Sequence, residues 1–328
     1  MSILVTGGAG YIGSHTVRML TNMGKQVVVY DNLVKGHRGA VKSGEFVLGD
    51  IFDSELLKDT IKKYNIDAVI HFAAYSLVGE SMLMPSMYYH NNVKGTLNLL
   101  DVMMECDVKK LVFSSTAAVY GEPDSVPITE NIAKRPTNVY GRTKLIMENA
   151  MEDYSNSYKL SYTALRYFNA CGADIIGDIG EDHRPEAHLI PLVLDVALGK
   201  RESIKIFGED YDTIDGTCIR DYIHVNDLAS AHILALEALY EGAPSDVYNL
   251  GNGMGFSVKE IISAAEKVTG VKIKKEMSPR RAGDPAVLIA SSDKIKDKLN
   301  WKPQFLDVSN IIKTAWNWHK NNPIGYEE

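Results

Sequence analysis

The sequence predicts an α/β fold: a Rossmann-type doubly wound parallel sheet with a smaller α/β substrate-binding domain. Three observations point there. Short β-branched runs alternate with longer segments of helical period through the first half. Those runs are almost continuously apolar, as strands covered on both faces are. A glycine-rich turn follows the first run directly, and β/α alternation of this kind implies parallel strands joined by helices.

The strands are read in order as SILVT (2–6), QVVVY (26–30), EFVL (45–48), AVIHF (68–72), KLVFS (110–114) and YTALR (162–166). Between the third and fourth, the stretch from Asp53 to Tyr64 places Leu57, Ile61 and Tyr64 on one helical face and Lys58, Lys62 and Lys63 largely on the other. After about Asn169, Gly, Asp and Pro thicken in GADIIGDIGEDHRPEAH and FGEDYDTIDGT, which read as binding loops. Beyond them, Asp227 to Tyr240 aligns Leu228, Ala231, Ala235 and Leu239 on one face. A second helix opens with the Ser257-x-x-Glu260 capping pattern and stops at Gly270. At roughly 150 residues per domain, 328 residues make two domains, read as 1–170 and 171–328, with 220–240 returning to the first.

Composition narrows the class. With 45% hydrophobic and 23% charged residues and 3 cysteines, the chain is neither disordered nor a disulfide scaffold. A net charge of -7 without any Lys/Arg block argues against nucleic acid and against an anionic membrane as partners. Cys106, Cys171 and Cys218 form no C-x-x-C pair and read as buried thiols of a reducing compartment. The start lacks the basic and long apolar regions of a signal peptide, and no run reaches the roughly 18 apolar residues of a membrane span, so a cytoplasmic protein is expected. The 9 histidines form no H-E-x-x-H and no Cys/His cluster, so no metal site is expected.

The turn after the first strand, Gly7-Gly8-Ala9-Gly10-Tyr11-Ile12-Gly13, satisfies G-x-G-x-x-G. Glycines there allow a sharp turn, close approach to a pyrophosphate and tight helix packing, and the helix N-terminus offers N–H donors. Asp31 follows 18 residues after Gly13, at the end of the second strand, where an acid holds an adenosine ribose. Its charge favours NAD over NADP, although Lys35, His37 and Arg38 keep an NADP reading open. Asp50 reads equally as an acceptor for the adenine amino group or as a strand-end cap.

Tyr140 and Lys144 stand four apart, on one face of a helix. Among 17 tyrosines such a match arises by chance, and its weight comes from Ser114-Ser115-Thr116 at the end of the fifth strand, where ligands of such folds bind. Two positive charges, Lys144 and a nicotinamide cation, would ease loss of the Tyr140 proton, so that the phenol takes a proton from a substrate hydroxyl aligned by Thr116.

On these residues the chain resembles the extended short-chain dehydrogenase/reductase family, and within it the branch that epimerises UDP-hexoses at carbon 4. The likeness runs through VTGGAGYIGSH (5–15), YDNL (30–33), HFAA (71–74), VGES (78–81), NNVKGT (91–96), FSSTAAVYG (113–121), NVYGRTK (138–144), RYFNACGA (166–173), HLIPL (188–192), DGTCIRDYIHVNDLA (215–229) and RRAGDPA (280–286). It implies Tyr140 as base, Lys144 on the nicotinamide ribose and lowering the phenol's pKa, and Thr116 beside them. Cofactor contacts are implied at Gly7, Gly10, Tyr11, Ile12 and Gly13, at Asp31, Asn32, Asp50 and Ile51, at Phe72, Ala73, Ala74 and Asn91, and at Ser114 and Tyr167. For the substrate it implies Phe207 on the uracil, Asp284 on its ribose, Arg220 and Arg281 on the diphosphate, and Asn169, His188 and Leu189 beside it.

The implied activity is interconversion of UDP-galactose and UDP-glucose with tightly held NAD, in a homodimer. Its helices carry Met82, Met84, Met87, Met103, Met104, Met147 and Met151. Ser76 replaces a lysine found in some members, His188 replaces an asparagine, and Leu288 is of intermediate bulk where the sugar pocket is limited. UDP-N-acetyl sugars or uronates therefore stay open as substrates. A non-catalytic NAD sensor is the reading from another class, opposed by the presence of both Tyr140 and Lys144. A 4,6-dehydratase would need acids where Thr116-Ala117-Ala118 stands.

Overall fold

Parallel strands need crossover connections, and the chain supplies a helix at most of them. In the computed structural model, which describes residues 1–281 and 284–327, β1 (Ser2–Thr6) leads into α1 (Tyr11–Asn22), β2 (Gln26–Asp31) and β3 (Glu45–Leu48). Next come α2 (Ser54–Tyr64), β4 (Ala68–His71), α3 (Val78–Leu83), α4 (Pro85–Tyr88), a π-helical stretch at Tyr89–Gly95, and α5 (Thr96–Glu105). β5 (Lys110–Thr116), α6 (Val139–Tyr158) and β6 (Ser161–Tyr167) complete the first half. The second half holds β7 (Asn169–Cys171), α7 (Leu189–Ala197), β8 (Ile204–Phe207), β9 (Ile219–His224), α8 (Val225–Tyr240) and β10 (Asp246–Leu250). It ends with β11 (Gly255–Ser257), α9 (Val258–Thr269), β12 (Lys275–Ser278), β13 (Val287–Leu288), α10 (Asp293–Leu299) and α11 (Val308–Asn321).

The main sheet runs β10-β6-β5-β4-β1-β2-β3 with every pairing parallel. Every residue of β1 is buried because helices cover both faces. Ile3 and Val5 join Val17 and Leu20 of α1, whereas Leu4 turns to the opposite core with Leu57, Ile61, Leu99 and Met147. Burying each such side chain is worth about 1.5–3 kcal/mol. α2 starts where the Asp53 carboxylate accepts from the Leu56 N–H at 3.0 Å and stops at Asn65, which adopts a left-handed conformation with φ 48°.

The returning segment begins at Val225, later than the expected 220, because β9 pairs inside a smaller sheet. α8 lays Leu228, Ala231, Leu236 and Leu239 on the same core as Ile3 and Val17. The return then continues to Leu250, since β10 pairs with β6, and Ile295 and Trp301 join that core too.

The smaller part has a four-stranded sheet in which β9 pairs with β7, β11 and β13, and a separate β8–β12 pair. α7, α9 and α11 supply its core through Val193, Leu194, Ile261, Ile262, Ile311 and Ile312. Ser257 and Glu260 form a reciprocal capping box at the start of α9, and Gly270 ends it at φ 72°. Among the described residues, no helix is long and apolar enough to cross a membrane.

Candidate active site

β1 to β6 release their loops at one edge of the sheet, and strand order reverses between β1 and β4, which opens a crevice there. Gly7 turns with φ +72°, and a Cβ on it would lie 2.5 Å from the Ala73 nitrogen. A Cβ on Gly13 would lie 2.3 Å from the Gly7 carbonyl oxygen. These two glycines are demanded by the protein's own packing. At Gly10 the nearest atom would be 3.3 Å away, so its face stays open to an approaching group. Gly10 is also the N-cap of α1 and adds no side-chain bond, which leaves first-turn N–H groups of Tyr11, Ile12 and Gly13 for an anion.

Asp31 lies at the end of β2, buried, and accepts from the N–H groups of Ala9 at 2.9 Å and Leu33 at 2.8 Å. It therefore ties the glycine loop to the next turn. Burial raises its pKa, opposed by those two N–H donors. Asp50 takes the capping role: one oxygen accepts from the Phe52 N–H at 3.0 Å and the other from the Asn32 amide at 2.9 Å. His37 turns away to the Asp182 carbonyl at 3.0 Å, and Arg38 covers the Phe46 ring at 4.6 Å. Both are drawn off from any ribose phosphate, which strengthens NAD over NADP. Ser76 is exposed, and Lys35 brings a cation within 6.0 Å of the neighbouring Tyr75 ring.

α6 sets Tyr140 and Lys144. Asn138 caps its start by accepting from the Gly141 N–H at 2.8 Å, and Gly141 packs so tightly that a Cβ would lie 2.4 Å from the Ala118 carbonyl oxygen. This approach brings Tyr140, in the first turn, onto the Thr116 hydroxyl. Lys144, one turn on and buried, donates to the Ser114 carbonyl at 2.7 Å and covers the Phe113 ring at 4.7 Å. Tyr167 bonds the Ser114 hydroxyl, so the ends of β5 and β6 close the site.

The chain's own groups, without a cofactor cation, hold the phenol up. Burial pushes Tyr140 up to about 12, and the opposing influence is the hydrogen bond with Thr116. Burial also lowers Lys144 to about 7, held up only by Glu148. With its ammonium turned to the Ser114 carbonyl and its charge opposed by burial, Lys144 alone does not offset the burial of the phenol.

Glu148 escaped sequence reading, although it repeats the four-residue spacing Tyr140, Lys144, Glu148. It grips Arg166 of β6 at 2.6 and 2.9 Å and accepts from Ser115 of β5 at 2.5 Å. Arg166 passes on to the Tyr120 hydroxyl at 2.8 Å, and Tyr120 to Asn249 of β10 at 2.7 Å. This buried chain fixes α6 against three strands. A charged residue inside the apolar run YTALRY was its signal. Asn92 was missed too: its amide holds both backbone ends of Tyr75 at 2.9 Å from the π-helical stretch, and it donates to Thr143 at 3.2 Å. The predicted Asn91 beside it donates to Asn92 at 3.1 Å. His71 is buried between the hydroxyls of Thr6 at 2.6 Å and Thr96 at 2.9 Å.

On the opposite side, Arg281 lies over the Phe207 ring at 4.0 Å, and Arg220 pairs with Asp284. Asp221, next to Arg220, does not pair with it. It is fully buried and accepts from the N–H groups of Asn252 at 2.6 Å, Gly253 at 3.0 Å and Ala290 at 3.1 Å. A cleft of about 530 Å³ opens between residues 122–126 and a wall that includes Arg280, Arg281, Asp284 and Val287. Ala282 and Gly283 of the RRAGDPA segment lie outside the described residues. Leu288 pairs across from Arg220 and packs on the cluster of Val119, Tyr120 and Phe168.

Asn169 is exposed on β7, and Leu189 opens α7. His188 is engaged elsewhere: its Nδ1 meets Glu186 at 2.7 Å and Glu181 at 3.0 Å. Together with His183 these residues bring four atoms of metal-ligating type within 4.8 Å, a grouping of two His and two Glu that H-E-x-x-H and Cys/His patterns do not cover.

The model of a family described as "NAD dependent epimerase/dehydratase family" matches residues 3–251. The UDP-glucose 4-epimerase of Halalkalibacterium halodurans is 58% identical over 99% of this chain and 98% of its own. One solved structure of a UDP-glucose 4-epimerase covers 100% of both chains with a TM-score of 0.98 at 57% identity. The UDP-glucose 4-epimerase of Bifidobacterium longum, solved in complex with NAD+ and UDP, is 40% identical with a TM-score of 0.93, covering 99% of this chain and 100% of its own.

Proposed function

The chain belongs to the NAD dependent epimerase/dehydratase family, and from that premise we propose that it interconverts UDP-galactose and UDP-glucose by inverting carbon 4 of the hexose, with NAD as a resident cofactor. The observation that carries this is the placement of Tyr140, Thr116 and Lys144 at the sheet edge that also holds the glycine turn, together with Phe207, Arg281, Arg220 and Asp284 as groups suited to a nucleotide.

The residues fit NAD. The open face of Gly10 and the first turn of α1 suit the pyrophosphate, the Asp31 carboxylate suits a ribose hydroxyl, and Lys144 suits the nicotinamide ribose. When bound, NAD supplies a reversible two-electron acceptor for carbon 4. Tyr140 holds the proton of the sugar 4-hydroxyl at its phenolic oxygen and returns it, and Thr116 aligns that hydroxyl. Positive charge beside the phenol, from Lys144 and from the cofactor when bound, would bring it down from about 12.

Phe207 and Arg281 form a stacking platform for uracil. Arg220, oriented by Asp284, faces the diphosphate and leaves Asp284 available to the ribose. Firm anchorage of the nucleotide leaves the sugar free to turn against the apolar wall of Leu288.

The protein acts in the cytoplasm as a homodimer. Met103, Met147 and Met151 are fully buried core residues and contribute nothing to that contact, whereas Met82, Leu83, Met84 and Ile146 are exposed. A monomer by light scattering at micromolar concentration would refute the dimer.

The function is tested by adding UDP-galactose to purified protein without cofactor and following UDP-glucose. Turnover is expected for the wild type and a near-complete loss for Tyr140→Phe. Absence of turnover even with NAD supplied, or an unimpaired Tyr140→Phe variant, would overturn it.

A further inference from the structure

The loop before α7 ends in Glu181-x-His183-x-x-Glu186-x-His188, four donors outside the catalytic set. Both imidazoles turn Nδ1 toward the same two carboxylates. His183 Nδ1 is 3.1 Å from Glu181 and 3.7 Å from Glu186, and His188 Nδ1 is 3.0 Å from Glu181 and 2.7 Å from Glu186. Ligands on a tetrahedron with bonds near 2.0–2.1 Å are spaced roughly 3.3 Å apart, inside that range.

Two ion pairs would produce similar spacings, but the orientation of His183 departs from that. Its Nδ1 is buried and makes no hydrogen bond of acceptable geometry, despite a carboxylate oxygen 3.1 Å away. His188 Nδ1 does hydrogen-bond Glu186 at 2.7 Å, so it is His183 that leaves a buried ring nitrogen for an ion to occupy.

The donors are held from behind, as metal ligands are. Glu186 accepts from the N–H groups of Ala187 at 2.7 Å and His188 at 2.8 Å, which fixes its carboxylate. Glu181 is buried, and its carbonyl accepts from the Trp318 indole at 3.2 Å. Gly180 donates to the Tyr326 hydroxyl at 2.9 Å, and the Asp182 carboxylate accepts from the Tyr326 N–H at 2.9 Å. Tyr11, in the first turn of α1, presents a ring edge to His183 at 6.1 Å.

Charge points the same way. Two carboxylates face two imidazoles in one small space, and a single divalent ion held by those carboxylates and by neutral imidazoles balances the charge.

We infer that Glu181, His183, Glu186 and His188 form a binding site for one divalent transition-metal ion, zinc in the first instance. Two imidazole nitrogens and two carboxylate oxygens suit that ion, and four protein ligands make a closed, structural site. Its effect is to pin the loop of residues 172–188 between α1 and α11 and to fix the entry to α7, with His188 Nδ1 held away from the substrate.

The test uses the full chain, purified without a histidine tag, stripped with a chelator and dialysed against zinc chloride alone. Elemental analysis should find one zinc per chain, with affinity weakened by about tenfold or more in His183→Ala and in Glu181→Gln and unchanged in His90→Ala, an exposed control. Cobalt in place of zinc should produce visible absorption of a tetrahedral centre, and zinc should raise the melting temperature of the wild type. Zinc bound equally by His183→Ala, or no stoichiometric zinc together with no cobalt absorption and no thermal shift in the wild type, would overturn the site and leave two His–Glu ion pairs.

Discussion

Gly13 and Gly10 separate what the glycine turn does for the fold from what it does for the ligand. In Gly13→Ala the new methyl meets the Gly7 oxygen at 2.3 Å and the Gly8 Cα at 2.8 Å, both backbone. To reach ordinary contact at 3.4 Å, the helix start must withdraw by roughly an ångström, at a cost of about 1–3 kcal/mol. In Gly10→Ala the contact is 3.3 Å and the backbone is extended, with φ −78° and ψ 175°. The entropy gain of about 0.4–1 kcal/mol from Gly to Ala offsets the poorer N-cap, and stability stays within about 1 kcal/mol of wild type. The methyl does block the open face, so NAD affinity should fall by about tenfold or more, about 1.4 kcal/mol. Urea unfolding of cofactor-stripped protein, followed through the buried Trp301 and Trp318, reads the first quantity, and NAD retained after gel filtration reads the second. A Gly10→Ala protein that keeps its full NAD content, or a Gly13→Ala protein as stable as wild type, would refute the division of labour.

Glu148→Gln leaves the Arg166 guanidinium buried opposite a neutral amide and should cost about 3–5 kcal/mol in urea unfolding, whereas the double change E148M/R166M should cost less than the single one. A single-variant loss under about 1 kcal/mol would show the pair to be dispensable. Phe207→Ala removes the uracil platform and should raise KM for the UDP-sugar by about 5- to 150-fold, the equivalent of about 1–3 kcal/mol of stacking, with NAD content unchanged; an unchanged KM would place the base elsewhere. In metal-free protein, His183 and His188 have pKa values raised above the 6.5 of an ordinary imidazole, so their stabilisation is complete below pH 6.5 and is lost as pH rises through about 9 and 10. Melting temperature should accordingly fall from pH 6.5 to 10 more steeply in the wild type than in His183→Gln, and parallel curves would argue against the His–Glu contacts.

The sheet was readable because β1, β2, β4, β5 and β6 are almost wholly buried and so appear as nearly continuous apolar runs between helical stretches, with the edge strand β3 the more exposed exception. Gly7, Gly13, Asp31, Tyr140 and Lys144 were readable because their spacing along the chain is itself the geometry of a turn, a strand end or one helix face. What could not be read depends on approach between distant segments. Glu148 looked like any charged residue of α6 until Arg166, Tyr120 and Asn249 enclosed it. Asp50 had two equal readings, and its contacts with the Phe52 N–H and the Asn32 amide, which supply the cap, depend on approach that spacing does not show. The His183–His188 cluster was hidden because its residues fit no regular helical motif and converge through an irregular loop. The upward push of burial on Tyr140 was not legible, because no local spacing reveals it.

The central claim is that carbon 4 is oxidised and reduced within one closed site. It is tested most directly with UDP-galactose carrying deuterium at carbon 4, converted in ordinary water by protein given no added cofactor. The account predicts UDP-glucose that keeps the deuterium at carbon 4. Product with deuterium washed out to solvent would contradict it, since inversion would then proceed by proton exchange with water.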